Sequence, residues 1–221
     1  IRDRSLPGSR KVDAWAVRLS YVGELGWEIY LDNDPSTALP VYDALHDAGV
    51  VPVGIETYAS SRRLEKCFRL QGADLETEWS AHESGLARAK VKSADFIGKE
   101  AYLAGQTQPP VAMLCAMTLD TLSVAGGTPR YPVGTWPILD PASKEVLVDA
   151  KGRRSYSTST AYGPSLGKQV VMAYLPAERA RVGEKLLLEY FDEGGNGHYP
   201  MTVQSVGRGA LFDPDNLRVR G

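Results

Sequence analysis

The chain has 221 residues, 25 lysines and arginines against 27 aspartates and glutamates, a net charge of −2 and 43% hydrophobic residues. That length suits one large domain or two modest ones, and we read two. The charge balance excludes a basic surface built for nucleic acid, and no apolar run approaches the ~20 residues of a membrane span.

The first residues lack the apolar core of a secretory signal. The chain opens on Ile1 and leads straight into a strand that needs partners, which suggests a fragment of a longer protein. Ala14, Ala16, Leu19 and Val22 supply that strand's apolar content. Gly23 and Gly26 then bend the backbone, and Glu28 returns between Trp27 and Ile29. A carboxylate in such company is hydrogen-bonded or functional, so Tyr21 and Glu28 stand out as groups that packing alone does not require. Turn formers at 32–36 precede a helical pattern of Leu39, Ala44, Leu45 and Ala48, which Gly49 stops. A short apolar strand at 50–54 and a helix at 56–68 follow, the helix turning Tyr58, Leu64, Cys67 and Phe68 inward.

Residues 87–92 alternate Ala87, Ala89 and Val91 with Arg88, Lys90 and Lys92, which predicts a strand with three cations on one face. That stripe is either a solvated edge or a docking surface for an anionic ligand. The polar stretch 106–110 carries Pro109 and Pro110 and is the best linker. Beyond it, apolar runs at 111–119, 133–139, 145–149, 169–174, 185–190 and 201–206 lie between glycine- and proline-rich turns, predicting a small barrel or sandwich. Residues 140–144 and 150–154 read as turns, the second a tight solvated hairpin. The hydroxyl-rich stretch 155–168 lacks the spacing of a phosphate loop.

Cys67 falls in the predicted helix and Cys115 in an apolar strand, so we expect buried free thiols in a reducing, cytoplasmic compartment. His46, His82 and His198 share no ligand-like spacing, so no metal site is expected.

Residues 21–28 resemble the folate-binding signature of the aminomethyltransferase family. That family includes the glycine cleavage T-protein and the C-terminal half of dimethylglycine and sarcosine dehydrogenases. The wording Gly23-Glu24-Leu25-Gly26-Trp27-Glu28 is most like the dehydrogenase branch. Residues 62–66 followed by 72–75, the boundary at 95–101, the stretch 155–168 and the closing residues 211–215 are similar to the family as well.

The resemblance implies an α+β fold: 1–106 as the C-terminal part of the folate-binding α/β domain and 111–221 as the small C-terminal β-barrel domain. It implies that Tyr21 and Glu28 contact the pterin of tetrahydrofolate. The adjacent N–H donors of a pterin suit the two acceptor oxygens of an ionised carboxylate. Arg63, aligned with an arginine of the family's helix, joins them as a cofactor-binding residue. The family's earlier arginine in that helix is replaced here, with Tyr58, Ala59 or Ser60 around its place, and Arg88 stands where an aromatic is common.

The implied function is tetrahydrofolate-dependent transfer of a one-carbon unit, with folate and a small amine as ligands. The partners are the missing N-terminal half of the parent chain or a second copy in a homo-oligomer, and FAD belongs to a possible upstream domain. The family's acid–base aspartate lies in that missing half, so no catalytic residue is named here. The other readings are a non-catalytic folate-binding or scaffold module, a folate-dependent methyl-ether demethylase, or a structural β-domain.

Overall fold

The structure is a computed structural model that describes residues 12–123, 129–192 and 195–221. Its first elements are β1 (Trp15–Arg18) and β2 (Trp27–Tyr30), an antiparallel pair that sets Trp15 opposite Tyr30 and Val17 opposite Glu28. Helix α1 (Pro35–Asp47) begins where the Asp34 carboxylate accepts from the Ser36 N–H at 2.8 Å, with Pro35 preset for the first turn. It ends before Gly49, whose φ of 89° suits a residue without a Cβ.

No residue of β1, β2 or α1 is buried. Residues 50–54, expected as a strand, are irregular and largely exposed. Among the described residues no neighbouring strand pairs with them, and a lone strand has nothing to satisfy its backbone.

A π-helical segment, Glu56–Arg62, runs into a single α-helical turn, α2 (Arg63–Glu65), so the helix stops short of its expected end at Phe68. Cys67 takes the left-handed conformation with φ 55°. Its N–H donates to the Leu64 carbonyl at 2.9 Å while that of Phe68 donates to Arg63 at 2.9 Å. This is a Schellman ending built on a cysteine instead of the usual glycine. The turn sinks Arg63, Leu64 and Glu65 against the second half of the chain.

The strand expected at 87–92 is absent, because its backbone is engaged elsewhere. The Tyr102 hydroxyl of α3 (Lys99–Gln106) accepts from the Arg88 N–H at 2.7 Å and donates to its carbonyl at 3.2 Å, and Gln106 donates to the same carbonyl at 2.7 Å.

After the link at 107–111 the chain forms β3 (Ala112–Leu119), β4 (Ile138–Leu139), β5 (Ser157–Gly163), β6 (Lys168–Pro176), β7 (Lys185–Asp192) and β8 (Gly195–Val206). They make one six-stranded sheet in the order β4-β7-β8-β3-β6-β5. Its two ends meet: Ile138 N–H donates to the Ser155 carbonyl at 3.1 Å and Ser157 N–H to Trp136 at 2.8 Å. The sheet therefore curls onto itself as the barrel reading expected. Of the run 133–139 only Ile138 and Leu139 are strand, the run 145–149 contributes isolated bridges, and the hydroxyl-rich stretch supplies β5 in full.

Period-two alternation puts Cys115, Met117 and Leu119 with Val171, Ala173 and Leu175 in one core cluster. The opposite parity, Leu114 and Ala116 with Val170, Met172 and Tyr174, packs on Leu64 and Cys67. Both faces of β3 and β6 are buried because α2 covers the outer one, and this second core joins the two parts of the chain. A short helix, α4 (Leu217–Arg220), follows the barrel. Among the described residues no helix is long and apolar enough to cross a membrane.

Candidate functional site

The β1–β2 connection is shaped by close approaches that only glycine allows. Gly23 has φ 78°, and a Cβ there would lie 2.5 Å from the Lys66 side-chain carbons. That lysine stem passes over the turn to reach the Asp213 carbonyl at 2.6 Å. A Cβ on Gly26 would meet the Leu19 carbonyl oxygen at 2.6 Å. Between them, Glu24 accepts from Arg62 at 3.0 Å and from Arg218 at 2.9 Å, so this carboxylate ties the turn to the helix and to α4.

With the turn fixed, the Tyr21 ring stacks on Phe68 at 6.0 Å between centroids and tilts against Tyr58 at 5.4 Å. Its hydroxyl donates to the Arg69 carbonyl at 2.8 Å. Burial raises the pKa of this phenol above its ordinary value, the Arg63 charge opposes the shift, and Asp74 and Tyr58 reinforce it. Tyr21 lines a hollow of about 280 Å³ with Ser20, Phe68, Arg69, Leu75 and Leu86.

Glu28 stands on the second strand and does not line that hollow. Cross-strand register puts Glu28 and Tyr30 on the same face as Val17 and Trp15. One carboxylate oxygen, Oε2, accepts from the Tyr30 hydroxyl. Among the described residues no cation pairs with Glu28 and Oε1 has no hydrogen-bond partner. The hydrogen bond from Tyr30 and the Glu28 charge raise the pKa of the Tyr30 phenol above its ordinary value.

Arg63 is placed differently. It is 3% exposed, and its guanidinium donates to Asp74, to Ser159 at 2.6 Å, to the Phe68 carbonyl at 3.0 Å and to the Ala59 carbonyl at 2.7 Å. Asp74 is fully buried and also accepts from Thr158 and from the Leu70 N–H at 3.0 Å. These groups form a buried ionic knot around the Arg63 guanidinium.

The basic stripe resolves into separate surface groups. Lys92 and Lys99 stand over Phe96 at 5.4 and 5.9 Å, while Arg88, Lys90 and Lys92 remain exposed. A larger hollow of about 390 Å³ lies between α3 and the linker, lined in part by His82, Tyr102, Gly105 and Pro109, and no signature residue faces it. The Tyr30–Glu28 hydrogen bond was not anticipated from the sequence. The signal was available, since a residue two positions beyond Glu28 on a strand shares its face.

Residues 8–93 match the GCVT N-terminal domain, and residues 137–205 match the glycine cleavage T-protein C-terminal barrel domain. The chain is 33% identical over 194 residues to the mitochondrial dimethylglycine dehydrogenase of Homo sapiens, covering 85% of this chain and 20% of that protein. It is 29% identical over 180 residues to an aminomethyltransferase of Acidobacterium capsulatum, covering 78% and 43% respectively. The crystal structure of glycine cleavage system aminomethyltransferase T from Bartonella henselae shares the fold, with a TM-score of 0.69 and 24% identity over 87% of this chain and 49% of that one. The chain thus spans about a fifth of the first relative and less than half of the second.

Proposed function

We infer from this chain's membership of the glycine cleavage T-protein family that it serves tetrahydrofolate-dependent one-carbon transfer as part of a longer enzyme of the dimethylglycine dehydrogenase or aminomethyltransferase kind. The observation that carries this reading is Glu28. Its carboxylate stands on an open sheet face beside aromatic rings, with no cation to neutralise it and one oxygen free. Glu65, which is buried, ends instead on Arg62 at 3.0 Å.

The residue types suit a pterin: an anionic two-oxygen acceptor for its ring N–H and amino groups and, at the separate hollow, the aromatic side chain of Tyr21 for its flat body. When bound, the reduced folate supplies the nucleophilic nitrogen that takes up the one-carbon unit from an amine. This chain's part is to bind and orient. Holding reacting partners in register can replace up to roughly 7–11 kcal/mol of a bimolecular barrier. Tyr21 is fixed by Arg69 and Phe68, Glu28 accepts from the ligand, and Arg63 acts at one remove by holding the Ala59 carbonyl and with it the helix that carries Tyr58. No acid or base of this chain is given a proton-transfer role.

The open face of β1–β2 and the unpacked α1 belong, on this reading, against other parts of the parent chain, and a flavin domain would sit farther upstream in a dehydrogenase. The small amine substrate would enter from those parts. Cys67 and Cys115 are buried and unpaired, and burial pushes their thiols up to about 11 and about 12, which suits a reducing compartment such as the cytoplasm.

The test is calorimetry with tetrahydrofolate on the complete parent protein. Glu28→Ala is expected to weaken binding by about ten- to a hundredfold, the range of an unmatched pair of buried donors. Binding as tight as that of the unmutated protein would remove Glu28 from the site.

A further inference from the structure

We propose that Tyr30 is a positioning residue that holds the Glu28 carboxylate ready for its ligand, a proposal that rests on the pterin reading above. Glu28 and Tyr30 lie two residues apart on β2 and therefore project from the same side of the sheet. The Tyr30 hydroxyl donates to Oε2 of Glu28, leaving Oε1 as the oxygen that faces outward unpartnered among the described residues.

A free glutamate side chain samples many rotamers, and a ligand that needs one of them must pay for the ordering. The phenol removes that freedom in advance. It also leaves the charge in place, which an arginine would not, because a neutral donor stabilises a carboxylate without cancelling its attraction for a ligand's N–H groups. The arrangement is self-consistent, since the hydrogen bond with Glu28 and its negative charge both raise the Tyr30 pKa, so the phenol keeps the proton it donates. Opposite Tyr30 in the register stands Trp15.

The experiment is a double-mutant cycle on the complete parent protein, titrated with tetrahydrofolate, using Tyr30→Phe, Glu28→Ala and the pair together. Tyr30→Phe keeps the ring and is expected to weaken binding about five- to tenfold with an unchanged thermal midpoint. In the Glu28→Ala background the same change is expected to add nothing. A Tyr30→Phe protein that binds as the unmutated one does, while Glu28→Ala binds more weakly, overturns the positioning role and leaves the pterin reading standing. A full additional loss in the double variant also overturns it, because Tyr30 would then act independently of Glu28. Unchanged binding by Glu28→Ala overturns both.

A second readout is independent of the ligand. In protein carrying ring-labelled tyrosine, the Tyr30 signal is expected to titrate at lower pH in Glu28→Ala than in the unmutated chain. Identical titrations would mean that the pair does not form.

Discussion

Arg63 and Glu83 are two buried charges whose partners decide what they do. Arg63→Ala would leave Asp74 fully buried with only the Thr158 hydroxyl and the Leu70 N–H to meet its charge. Breaking a buried pair this way costs about 3–5 kcal/mol, and chemical denaturation of the variant is expected to show a loss of that order. In the sequence Arg63 stands out for its likeness to an arginine of the family's helix; its partners Asp74 and Ser159 are 11 and 96 positions away, so no local pattern announces the buried pair.

Glu83 is raised by burial, but hydrogen bonds from Arg153 and Ser80 outweigh that effect and hold it below its ordinary 4.5. A carboxylate lowered in the folded state contributes stability that is complete above about pH 4.5 and fades as the pH drops below it. Glu83→Gln is therefore expected to unfold with a flatter pH dependence between pH 5 and the acid limit than the unmutated chain, though it is less stable at neutrality. Parallel acid-unfolding curves for the two would refute the assignment. The expectation for Tyr21 and Glu28 rests on the spacing of a local motif, and the structure places Tyr21 at a hollow that Glu28 does not line. The Tyr30–Glu28 hydrogen bond is equally local, joining residues two positions apart on one strand.

At the scale of elements, the barrel strands were legible wherever both parities are buried. β3, β6 and β7 carry near-continuous apolar runs, and their predicted positions fall within a few residues of the observed ones. The predictions that missed concern segments whose neighbours, not their own residues, set the backbone. Residues 87–92 alternate well enough for a strand, yet side chains of α3 take the Arg88 backbone groups. Most of 133–139 is drawn into the loop that closes the barrel, where the Trp136 N–H donates to the Ser157 hydroxyl at 2.8 Å.

The seam between the two parts of the chain is tight at one point in particular. Gly85 has φ 72°, and a Cβ there would lie 2.7 Å from Gly207. Gly85→Ala meets backbone on the far side and a left-handed conformation that itself costs about 1–2 kcal/mol. We expect a loss of more than about 2 kcal/mol in denaturant melts, against about 1–2 kcal/mol for Gly152→Ala, where φ is 79°, no atom lies within 4 Å and only the conformational penalty applies. Equal losses at the two sites would mean that the Gly85–Gly207 approach is not close.

The whole molecule is divided in its packing. The barrel is closed and filled, and the Trp79 ring stacks on Tyr174 at 3.9 Å with the Arg153 guanidinium 4.0 Å from its centroid. Residues 12–60 are the reverse: Trp15 is 79% exposed, and Trp27, Leu39, Tyr42, Val51 and Ile55 are also open to solvent. A two-stranded sheet and an unpacked helix are marginal in water on their own. An uncovered apolar surface of this kind drives association. The chain expressed alone is therefore expected to self-associate in light scattering, and a clean monomer at high concentration would contradict that expectation. Among the described residues, β1, β2 and α1 contribute nothing to a buried core.

The most direct test of the account is the structure of the complete parent protein with tetrahydrofolate bound. The account predicts the pterin within hydrogen-bonding distance of the Glu28 carboxylate, its ring near Tyr21 and Tyr58, and the Tyr30 hydroxyl still on Oε2. A pterin seated instead in the larger hollow beside His82 and Tyr102, with Glu28 untouched, would contradict it.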